Sequence, residues 1–403
     1  MAHERSRYAQ ELFEKLINFS PIVGVFGHRQ VGKSTFIAKN ISNYQTLDDV
    51  ETLKRATLDP KKFIQIGRHS SLAIDECQLE PKLFPTLKEW VRTNKKPGQF
   101  VLSGSVRFTS RKAIRESLAG RLAFLEMLPF SVTEIAKLPL SFSIPQLLQY
   151  KEFSQDNLRA LNFLKSSEMI KKHFDTYLES GGLPGLCFIR ESKLKRQALS
   201  DLHDLILTRD LMLVANITTS LSTLKKWMSE VARLGFTPYN ASEIRRTLGL
   251  SPETQKRIIF GLESIFLIRR IPVPERKKEI LLLEDQYEEY IYAGQTQDRI
   301  KRLESAVYRN IRAQFMYRLQ KGVTIESYLT RDYARVPIVI RDDLETLGII
   351  VILGEKPTLS EIRSGSSFLR RFSRGKILYL SQEIIAPKLL DSRSIMASIY
   401  SIL

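Results

Sequence analysis

The sequence predicts an α/β protein of several domains, with a parallel sheet flanked by helices in its amino-terminal part. Apolar strand patterns alternate with helical patterns along residues 22–129, and this order is typical of parallel sheets. One of these strands, IVGVFG, leads into a glycine-rich loop and then into a helix. The chain has 403 residues, of which 43% are hydrophobic, which is enough for more than one core.

The glycine-rich loop matches the pattern G-x-x-x-x-G-K-[ST] of phosphate-binding loops. Its residues are Gly27, His28, Arg29, Gln30, Val31, Gly32, Lys33, Ser34 and Thr35. The glycines let backbone N–H groups turn towards phosphate oxygens, and the following helix adds the positive end of its dipole. Lys33 is predicted to reach the β- and γ-phosphates, and the Ser34 hydroxyl to bind Mg²⁺. We therefore expect this loop to bind ATP together with Mg²⁺.

The next apolar strand with a chemical signal, LAID, ends in an acidic pair. Asp75 is predicted to hold Mg²⁺ through water, and Glu76 to polarise the attacking water. The alternative is a strand that ends in a solvated acidic turn.

A further apolar strand at residues 100–105 ends in hydroxyl groups. It is expected to lie beside the LAID strand, which would bring its hydroxyls close to the nucleotide. Ser103 or Ser105 is therefore predicted to sense the γ-phosphate, and ordinary loop capping by serine is the alternative.

The charge of the chain points to a polyanionic partner. The formal net charge is +18 and the isoelectric point is about 9.7, so double-stranded DNA is the first expectation and an anionic membrane the second. A generally basic surface without a dedicated partner is the alternative. No apolar run is long enough to span a bilayer, the first residues are polar, and the chain has only two cysteines, which together favour a cytoplasmic protein.

The remaining chain is predicted to form three further modules after a core at residues 1–135. Residues 136–230 have mostly helical periodicity, interrupted by the turn SGGLPG, and are predicted to form a helical lid. Residues 231–280 have the spacing of a helix-turn-helix followed by a hairpin. Residues 281–403 mix a long helix with apolar strands, which predicts a carboxy-terminal α/β domain.

Several of these motifs together resemble one protein family. VFGHRQVGKST, LAIDECQ, VLSGS, ESLAGR and LPFSVTEI are similar to segments of prokaryotic AAA-type P-loop ATPases. These carry a carboxy-terminal domain of unknown function that looks like a divergent restriction-endonuclease fold. SGGLPG and LHDLILTRDLMLVANI resemble the family's lid, and NASEIRRTLGLSPETQKRIIFGLESIFLIRRI resembles its winged helix. The resemblance implies ATP binding, hydrolysis and association with DNA.

Three positions take a role from this resemblance. Gln78 matches a glutamine that positions the nucleophilic water or relays its state. Arg121 matches an arginine that serves as a finger onto the γ-phosphate of a neighbouring subunit, which would require a homo-oligomer; a surface charge is the alternative. Arg209 matches a sensor in the lid, and an ion pair with Asp210 or a neighbour is equally expected.

The helix-turn-helix segment is the predicted DNA reader. Asn240 can cap its first helix, Gly249 ends that helix, and Ser251 can cap the second, with Pro252 at the first helical position. The residues predicted to contact DNA are Thr254, Gln255, Lys256, Arg257, Arg276, Lys277 and Lys278. The alternative is a winged helix that serves as a lid or as a protein docking surface.

The carboxy-terminal domain lacks part of a nuclease site. A nuclease of the restriction type needs a glutamate on its first helix and acids on two adjacent strands to bind Mg²⁺. Glu304 matches the helical position, but Arg335 and Pro337 stand where strand acids are expected, and Glu355 with Lys356 lacks the spacing. We therefore predict an inactive nuclease fold. Pro337 also predicts that its strand lies at a sheet edge or carries a bulge.

The leading prediction is an ATPase whose nucleotide state controls its binding of DNA. The first alternative is an ATP-regulated nuclease, which the missing strand acids disfavour. The second is a nucleotide-switched protein scaffold without affinity for DNA, which the absence of salt-sensitive DNA binding would favour.

Overall fold

The amino-terminal sheet has five parallel strands in the order β2-β3-β4-β1-β5. The computed structural model describes residues 5–107, 118, 120–141, 143–160, 168–294, 297–318 and 322–403. The strands are β1 (Ile22–Gly27), β2 (Asn43–Thr46), β3 (Leu72–Asp75), β4 (Phe100–Gly104) and β5 (Leu122–Met127). The predicted parallel sheet is thereby confirmed, and the loop after β1 lies at its carboxyl edge.

Helices cover both faces of this sheet. They are α1 (Ala9–Phe19), α2 (Lys33–Asn40), α3 (Val50–Leu58), α4 (Pro60–Ile64) and α5 (Leu83–Thr93). Because side chains alternate along a strand, Val23 and Val25 of β1 join one core while Ile22 and Phe26 join the other. Two buried layers therefore hold β1, and with it the start of the glycine-rich loop.

The middle of the chain is helical, as predicted. Its helices are α6 (Val132–Ile135), α7 (Ser143–Gln149), α8 (Gln155–Ala160), α9 (Glu168–Ser180), α10 (Ser192–Leu205), α11 (Leu211–Val214) and α12 (Leu221–Leu234). A π-helical segment, Ile206–Asp210, joins α10 to α11. Such segments are rare and are frequent at functional sites.

Two helices and a hairpin follow where the sequence predicts them. The helices are α13 (Ala241–Leu248) and α14 (Pro252–Ser264), and the hairpin pairs β6 (Ile268–Val273) with β7 (Lys278–Leu283). Asn240 and Ser251 cap the helices as expected, and Gly249 ends the first at a φ of 64°. That this unit is a DNA-binding winged helix stays a prediction.

The carboxy-terminal part contains a six-stranded mixed sheet in the order β12-β13-β11-β10-β9-β8. Its strands are β8 (Thr324–Leu329), β9 (Arg335–Arg341), β10 (Thr346–Ile352), β11 (Gly375–Ser381), β12 (Lys388–Asp391) and β13 (Ser394–Ser398). The strand β9 lies between β8 and β10, so Pro337 is not on an edge. The pairing of β8 with β9 shifts next to Pro337, so the predicted bulge is present.

Three more helices lie in this part of the chain; the second and third pack against the sheet, and the first packs against α9, α12 and β7. They are α15 (Gln286–Ala293), α16 (Arg299–Met316) and α17 (Leu359–Arg371). Within the described ranges, no helix of the protein is both long enough and apolar enough to cross a membrane. The predicted likeness of this part to a restriction endonuclease, and the predicted domain boundaries, stay predictions.

Candidate nucleotide site

The glycine-rich loop connects the end of β1 to the start of α2 and needs glycine at two positions. A Cβ atom at Gly27 would collide with the carbonyl oxygen of Met127 on the neighbouring strand β5. Gly32, which caps α2, has a φ of 91°, a conformation that other residues rarely adopt. Both glycines are therefore required by backbone geometry, and the loop wraps the amino end of α2.

Lys33 is a buried cation inside this loop. Its side chain hydrogen-bonds two backbone carbonyls, with Nζ donating to Gly27 O at 3.0 Å and to His28 O at 2.9 Å. The residue is 6% exposed, and burial lowers its pKa against the opposing effects of Glu76 and Asp75. A phosphate group would be a stronger acceptor than either carbonyl.

Asp75 ends β3 next to the loop and fits the role of a Mg²⁺ ligand. Its carboxylate accepts hydrogen bonds from the hydroxyls of Tyr44 and Ser103. Burial alone would raise the pKa of Asp75, but hydrogen bonds from Ser103, Ser34 and Tyr44 outweigh it and lower the pKa. The ionised carboxylate and the Ser34 hydroxyl therefore lie together.

This pair of oxygen ligands fits Mg²⁺ in a nucleotide site. Mg²⁺ commonly takes one or two protein ligands and completes its coordination with phosphates and water. Among the described residues no group of three or more His, Cys, Asp or Glu side chains could hold a metal. The predicted assignment of Ser34 and Asp75 is thus compatible with Mg²⁺ bound together with a nucleotide.

Glu76 follows β3 in the left-handed region, at a φ of 52°. Burial raises the pKa of its carboxyl group, while the charges of Lys33 and Arg29 act in the opposite direction. Gln78 donates a hydrogen bond from its side chain to Glu76. This glutamine can lie over β4 because residue 104 is glycine, where a Cβ would collide with its amide oxygen.

The two predicted γ-phosphate sensors have protein partners. Ser103 donates its hydroxyl to Asp75 and so positions that carboxylate, while its role as a sensor stays a prediction. Ser105 donates to Asp210 Oδ2 at 3.4 Å and accepts from Gln78 Nε2 at 3.5 Å. Ser105 therefore links the end of β4 to the helical segment, which the sequence did not predict.

Two variable residues of the loop, Arg29 and Gln30, contact the helical part of the chain through their side chains. Arg29 forms a two-pronged ion pair with Asp210, in which Nη2 lies 3.0 Å from Oδ1. A Cβ at Gly185 would press on the Gln30 side chain, so the SGGLPG turn lies directly against the loop. Arg209, for which an ion pair with Asp210 or a neighbour was one expectation, pairs with Asp48 at 3.2 Å.

A buried cluster of titratable residues ties the loop to α15. His28 Nε2 lies 3.1 Å from Glu288 Oε1, and His203 Nε2 lies 2.7 Å from the same oxygen. Burial works against protonation of His28, but Glu288 outweighs it and raises the His28 pKa. Sequence reasoning missed this cluster because its members are far apart in the chain and match no motif.

A cavity of about 430 Å³ opens beside the loop and α2. It is lined by Arg5, Ser6, Arg7, Gln10, Gly32, Thr35, Phe36, Lys39, Asn40, Phe130, Pro184 and Phe188. Two amide side chains meet at its wall, since Gln10 Nε2 donates to Asn40 Oδ1 at 2.7 Å. Aromatic walls and amide groups suit a purine base. Only Gly32 and Thr35 of this lining were predicted, because the rest comes from segments without a motif.

Arg121 lies at the opposite edge of the sheet from the loop. Half of the ESLAGR segment is outside the described residues, but Arg121 directly precedes β5. Leu122 pairs with Ile22 and Met127 pairs with Gly27, so Arg121 is about 17 Å or more from the loop of its own chain. The predicted arginine finger would therefore need a second copy of the chain.

The predicted DNA contacts on α14 are partly wrong. Gln255 is 2% exposed and belongs to the core, so it cannot reach DNA in this conformation. Lys256 and Arg257 are exposed, and Arg257 pairs with Glu253 one turn earlier at 2.5 Å. The Thr254 hydroxyl hydrogen-bonds the capping Ser251 at 2.9 Å.

The three predicted contacts on the hairpin also differ from each other. Arg276 donates to Thr330 O at 3.2 Å, so the hairpin tip is attached to the end of β8. Lys277 and Lys278 remain exposed. The surface candidates for DNA are therefore Lys256, Arg257 and these two lysines.

The glutamate predicted as a nuclease remnant is neutralised by an arginine. Both oxygens of the buried Glu304 accept hydrogen bonds from Arg335, at 2.7 and 2.5 Å. Glu355 and Lys356 lie exposed in the loop after β10. These residues do not assemble into a carboxylate site.

Comparison with known proteins identifies parts of the chain. Residues 19–136 match a family model described as an AAA domain, and residues 171–281 match a domain of unknown function (DUF8612). The uncharacterized proteins Rv2008c of Mycobacterium tuberculosis and Mb2031c of Mycobacterium bovis are each 28% identical over 132 residues. That match covers 32% of this chain and 30% of each relative. The chain thus carries an AAA-type P-loop ATPase domain.

Solved structures give distant similarities. The Walker-type ATPase PABY2304 of Pyrococcus abyssi has a TM-score of 0.41 at 12% identity, covering 72% of this chain and 95% of that one. The AMPPCP-bound DnaA of Aquifex aeolicus has a TM-score of 0.25 at 15% identity, covering 64% and 85%. The STAND protein PH0952 of Pyrococcus horikoshii has a TM-score of 0.28 at 11% identity, covering 77% and 45%.

Proposed function

We propose that the protein hydrolyses ATP and that its nucleotide state controls binding to double-stranded DNA. The observation that carries the hydrolytic part is the arrangement at one edge of the sheet. There the loop cation Lys33, the oxygen pair of Ser34 and Asp75, and the acid Glu76 converge around the amino end of α2. This combination fits a triphosphate, a divalent cation and an attacking water.

Each residue has a distinct role in this reaction. Lys33 leaves its two carbonyl partners and binds the β- and γ-phosphates. Ser34 and Asp75 would hold Mg²⁺, which neutralises the charge that develops on the phosphates. Glu76 orients the water and accepts its proton, and the raised pKa of Glu76 favours that acceptance. Gln78 fixes the Glu76 carboxylate until substrate is bound.

The cavity beside α2 supports the choice of a purine nucleotide. It shares Gly32 and Thr35 with the phosphate loop, so a nucleotide bound there would extend from the loop into this space. Phe36, Phe130 and Phe188 offer apolar walls for a base. Gln10 and Asn40 offer amide groups that can form hydrogen bonds with its edge.

A contact between β4 and α14 supports coupling to DNA. Arg107 follows Ser105 by two residues, and its Nε donates to Glu263 O at the end of α14 at 2.8 Å. Its guanidinium also lies over the ring of Phe266, 4.4 Å from the centroid. A displacement at the end of β4 would therefore reach the helix that presents Lys256 and Arg257. The net charge of +18 favours DNA as the partner of that surface.

Measuring ATP turnover with and without duplex DNA tests both parts of the proposal. The wild-type protein should hydrolyse ATP, and DNA should change the rate. Glu76→Gln should keep ATP binding and lose turnover by about 100-fold or more, since general-base catalysis contributes about that much. Glu89→Gln, an exposed acid on α5, is the matched control and should hydrolyse at the wild-type rate.

Two outcomes would change the proposal. Wild-type turnover by Glu76→Gln would remove the assignment of the base. Turnover that is insensitive to DNA, together with no salt-dependent DNA binding, would favour a nucleotide-switched protein scaffold.

A further inference from the structure

Asp210 lies where the helical segment meets the phosphate loop. It is the last residue of the π-helical segment and is 1% exposed. Its two carboxylate oxygens face Arg29, with the Nη2–Oδ1 pair at 3.0 Å and Nε beside Oδ2. Paired hydrogen bonds of this kind between guanidinium and carboxylate are among the strongest that proteins form. The loop arginine is thus held by the helical segment.

Arg29 is also close to the centre of the nucleotide site. Its charge acts on the pKa of both Lys33 and Glu76, which places the guanidinium within electrostatic range of both side chains. The planar donor pattern of arginine that fits a carboxylate also fits a phosphate. Asp210 and a phosphate bound in the loop would therefore compete for the same cation.

We propose that Asp210 is a positioning residue that holds Arg29 away from the site and releases it to the γ-phosphate of a bound nucleoside triphosphate. This inference rests on the nucleotide binding proposed above. It makes the helical segment a direct competitor of the third phosphate. A diphosphate, which lacks that group, leaves the Arg29–Asp210 pair in place.

The release would also reach the catalytic base. Asp210 accepts from Ser105 at 3.4 Å, Ser105 accepts from Gln78 at 3.5 Å, and Gln78 donates to Glu76. These contacts form one chain of polar side chains from the loop arginine to the base. When a triphosphate is present, Asp210 would shift after it loses Arg29. This shift would weaken the hydrogen bond from Gln78 that holds the Glu76 side chain.

The test compares the binding of two fluorescent nucleotides, ADP and the β,γ-methylene analogue of ATP, in the presence of Mg²⁺. Asp210→Asn keeps the shape of the side chain but removes its charge, so Arg29 is no longer retained. We expect the analogue to bind about five- to tenfold more tightly, within the usual range of coupling between sites, and ADP to change by less than about twofold. Asp210→Glu keeps the charge and should return the ratio of affinities towards the wild-type value.

A second background separates positioning from mere structural support. In Arg29→Ala, which has no guanidinium to retain, Asp210→Asn should have no further effect on either nucleotide. Arg29→Ala alone should lower affinity for the analogue more than for ADP, and this comparison does not depend on the folding of the Asp210 variant. Asp201→Asn, the same change at an exposed site on α10, should bind both nucleotides like the wild type.

The possible results are distinguishable. An equal change for both nucleotides, or an effect of Asp210→Asn that persists without Arg29, would overturn the inference and make Asp210 a structural residue. Absence of binding to the wild-type protein would instead contradict the proposed function itself.

Discussion

The phosphate loop and the carboxy-terminal domain both bury charged residues, but they pair them with different kinds of partner. In the loop, Lys33 is buried with hydrogen bonds to backbone carbonyls, while Asp75 accepts from hydroxyls and Glu76 from an amide. In the carboxy-terminal domain, Glu304 is bound on both oxygens by Arg335. The first arrangement leaves charge available for a ligand, whereas the second neutralises it within the protein.

Two of the buried lysines, Lys33 and Lys376, show the same difference. Lys376 of β11 is 0% exposed and donates to Glu345 at 2.6 Å as well as to backbone carbonyls. Lys33 is about as buried, but no hydrogen bond to a carboxylate is among its contacts within the described residues. Buried charge by itself therefore does not indicate a functional site. What indicates one is a partner that a substrate can replace.

The largest expected effect comes from replacing these lysines in turn. Lys33→Ala should lower nucleotide affinity by at least about 100-fold, because a hydrogen bond to a charged group contributes about 1.5–3 kcal/mol and the lysine forms more than one. Lys376→Met should leave affinity unchanged and lower the free energy of unfolding by about 3 kcal/mol, because Glu345 is left without its cation. Nucleotide titration and urea unfolding of both variants measure the two effects, and wild-type affinity in Lys33→Ala would contradict the assignment.

The next effect concerns the ion pair between Glu304 and Arg335. Arg335→Ala should lower the free energy of unfolding by about 2 kcal/mol, less than for a fully buried pair because the Arg335 side chain is 29% exposed. Adding Glu304→Gln should recover part of the loss, since no buried charge then remains. Urea unfolding of the single and double variants gives the comparison. Equal stability of wild type and Arg335→Ala would show that the pair contributes nothing.

A smaller effect is expected at the surface of α14. Replacing Lys256 and Arg257 by alanine should weaken duplex binding by about tenfold and reduce the slope of log affinity against log salt by about 2. Replacing Lys95 and Lys96, two exposed cations after α5, removes the same charge and should change neither quantity as much. Filter binding at several salt concentrations separates the cases. An unchanged slope in the α14 variant would move the DNA contact to another surface.

The His28–Glu288 pair predicts a pH dependence of stability. The pKa of His28 is raised in the folded protein, mainly by Glu288 against the effect of burial, with a smaller contribution from Glu284. The stabilisation is therefore complete below the unfolded-state pKa near 6.5 and is lost as pH rises through the higher folded-state value. We expect the free energy of unfolding to fall over this range in the wild type. In Glu288→Gln the fall should be smaller, and an identical pH profile would contradict the pairing.

The smallest effect expected is no effect at all. The protein should not cut supercoiled plasmid with ATP and Mg²⁺ or Mn²⁺, because Arg335 adds positive charge where a metal would need carboxylates. Nicking that disappears in Glu304→Ala or Glu355→Ala but survives in Lys33→Ala would show an active nuclease.

The sequence identified the parts of the site whose spacing is fixed by local geometry. A strand, a tight turn and a helix need glycines at positions 27 and 32, and the spacing then places Lys33 at the start of the helix, beside the turn. The acidic pair at the end of β3 was also predictable. Charged residues rarely lie inside a fully buried strand, so they are expected where the strand ends. The parallel sheet followed from the alternation of strand and helix patterns.

The partners of those residues were decided only by the tertiary structure. Asp210, Glu288 and His203 lie about 180 to 260 residues after the loop in the sequence, and no periodicity relates an ion pair across such a separation. Gln255 was mistaken for a DNA contact because helical spacing does not reveal which face another segment covers. The sequence thus determined which chemical groups stand on the loop and on β3, since this depends on local backbone geometry. The fold alone decided which of them are paired within the protein and which remain available to a nucleotide, because pairing depends on distant segments packing together.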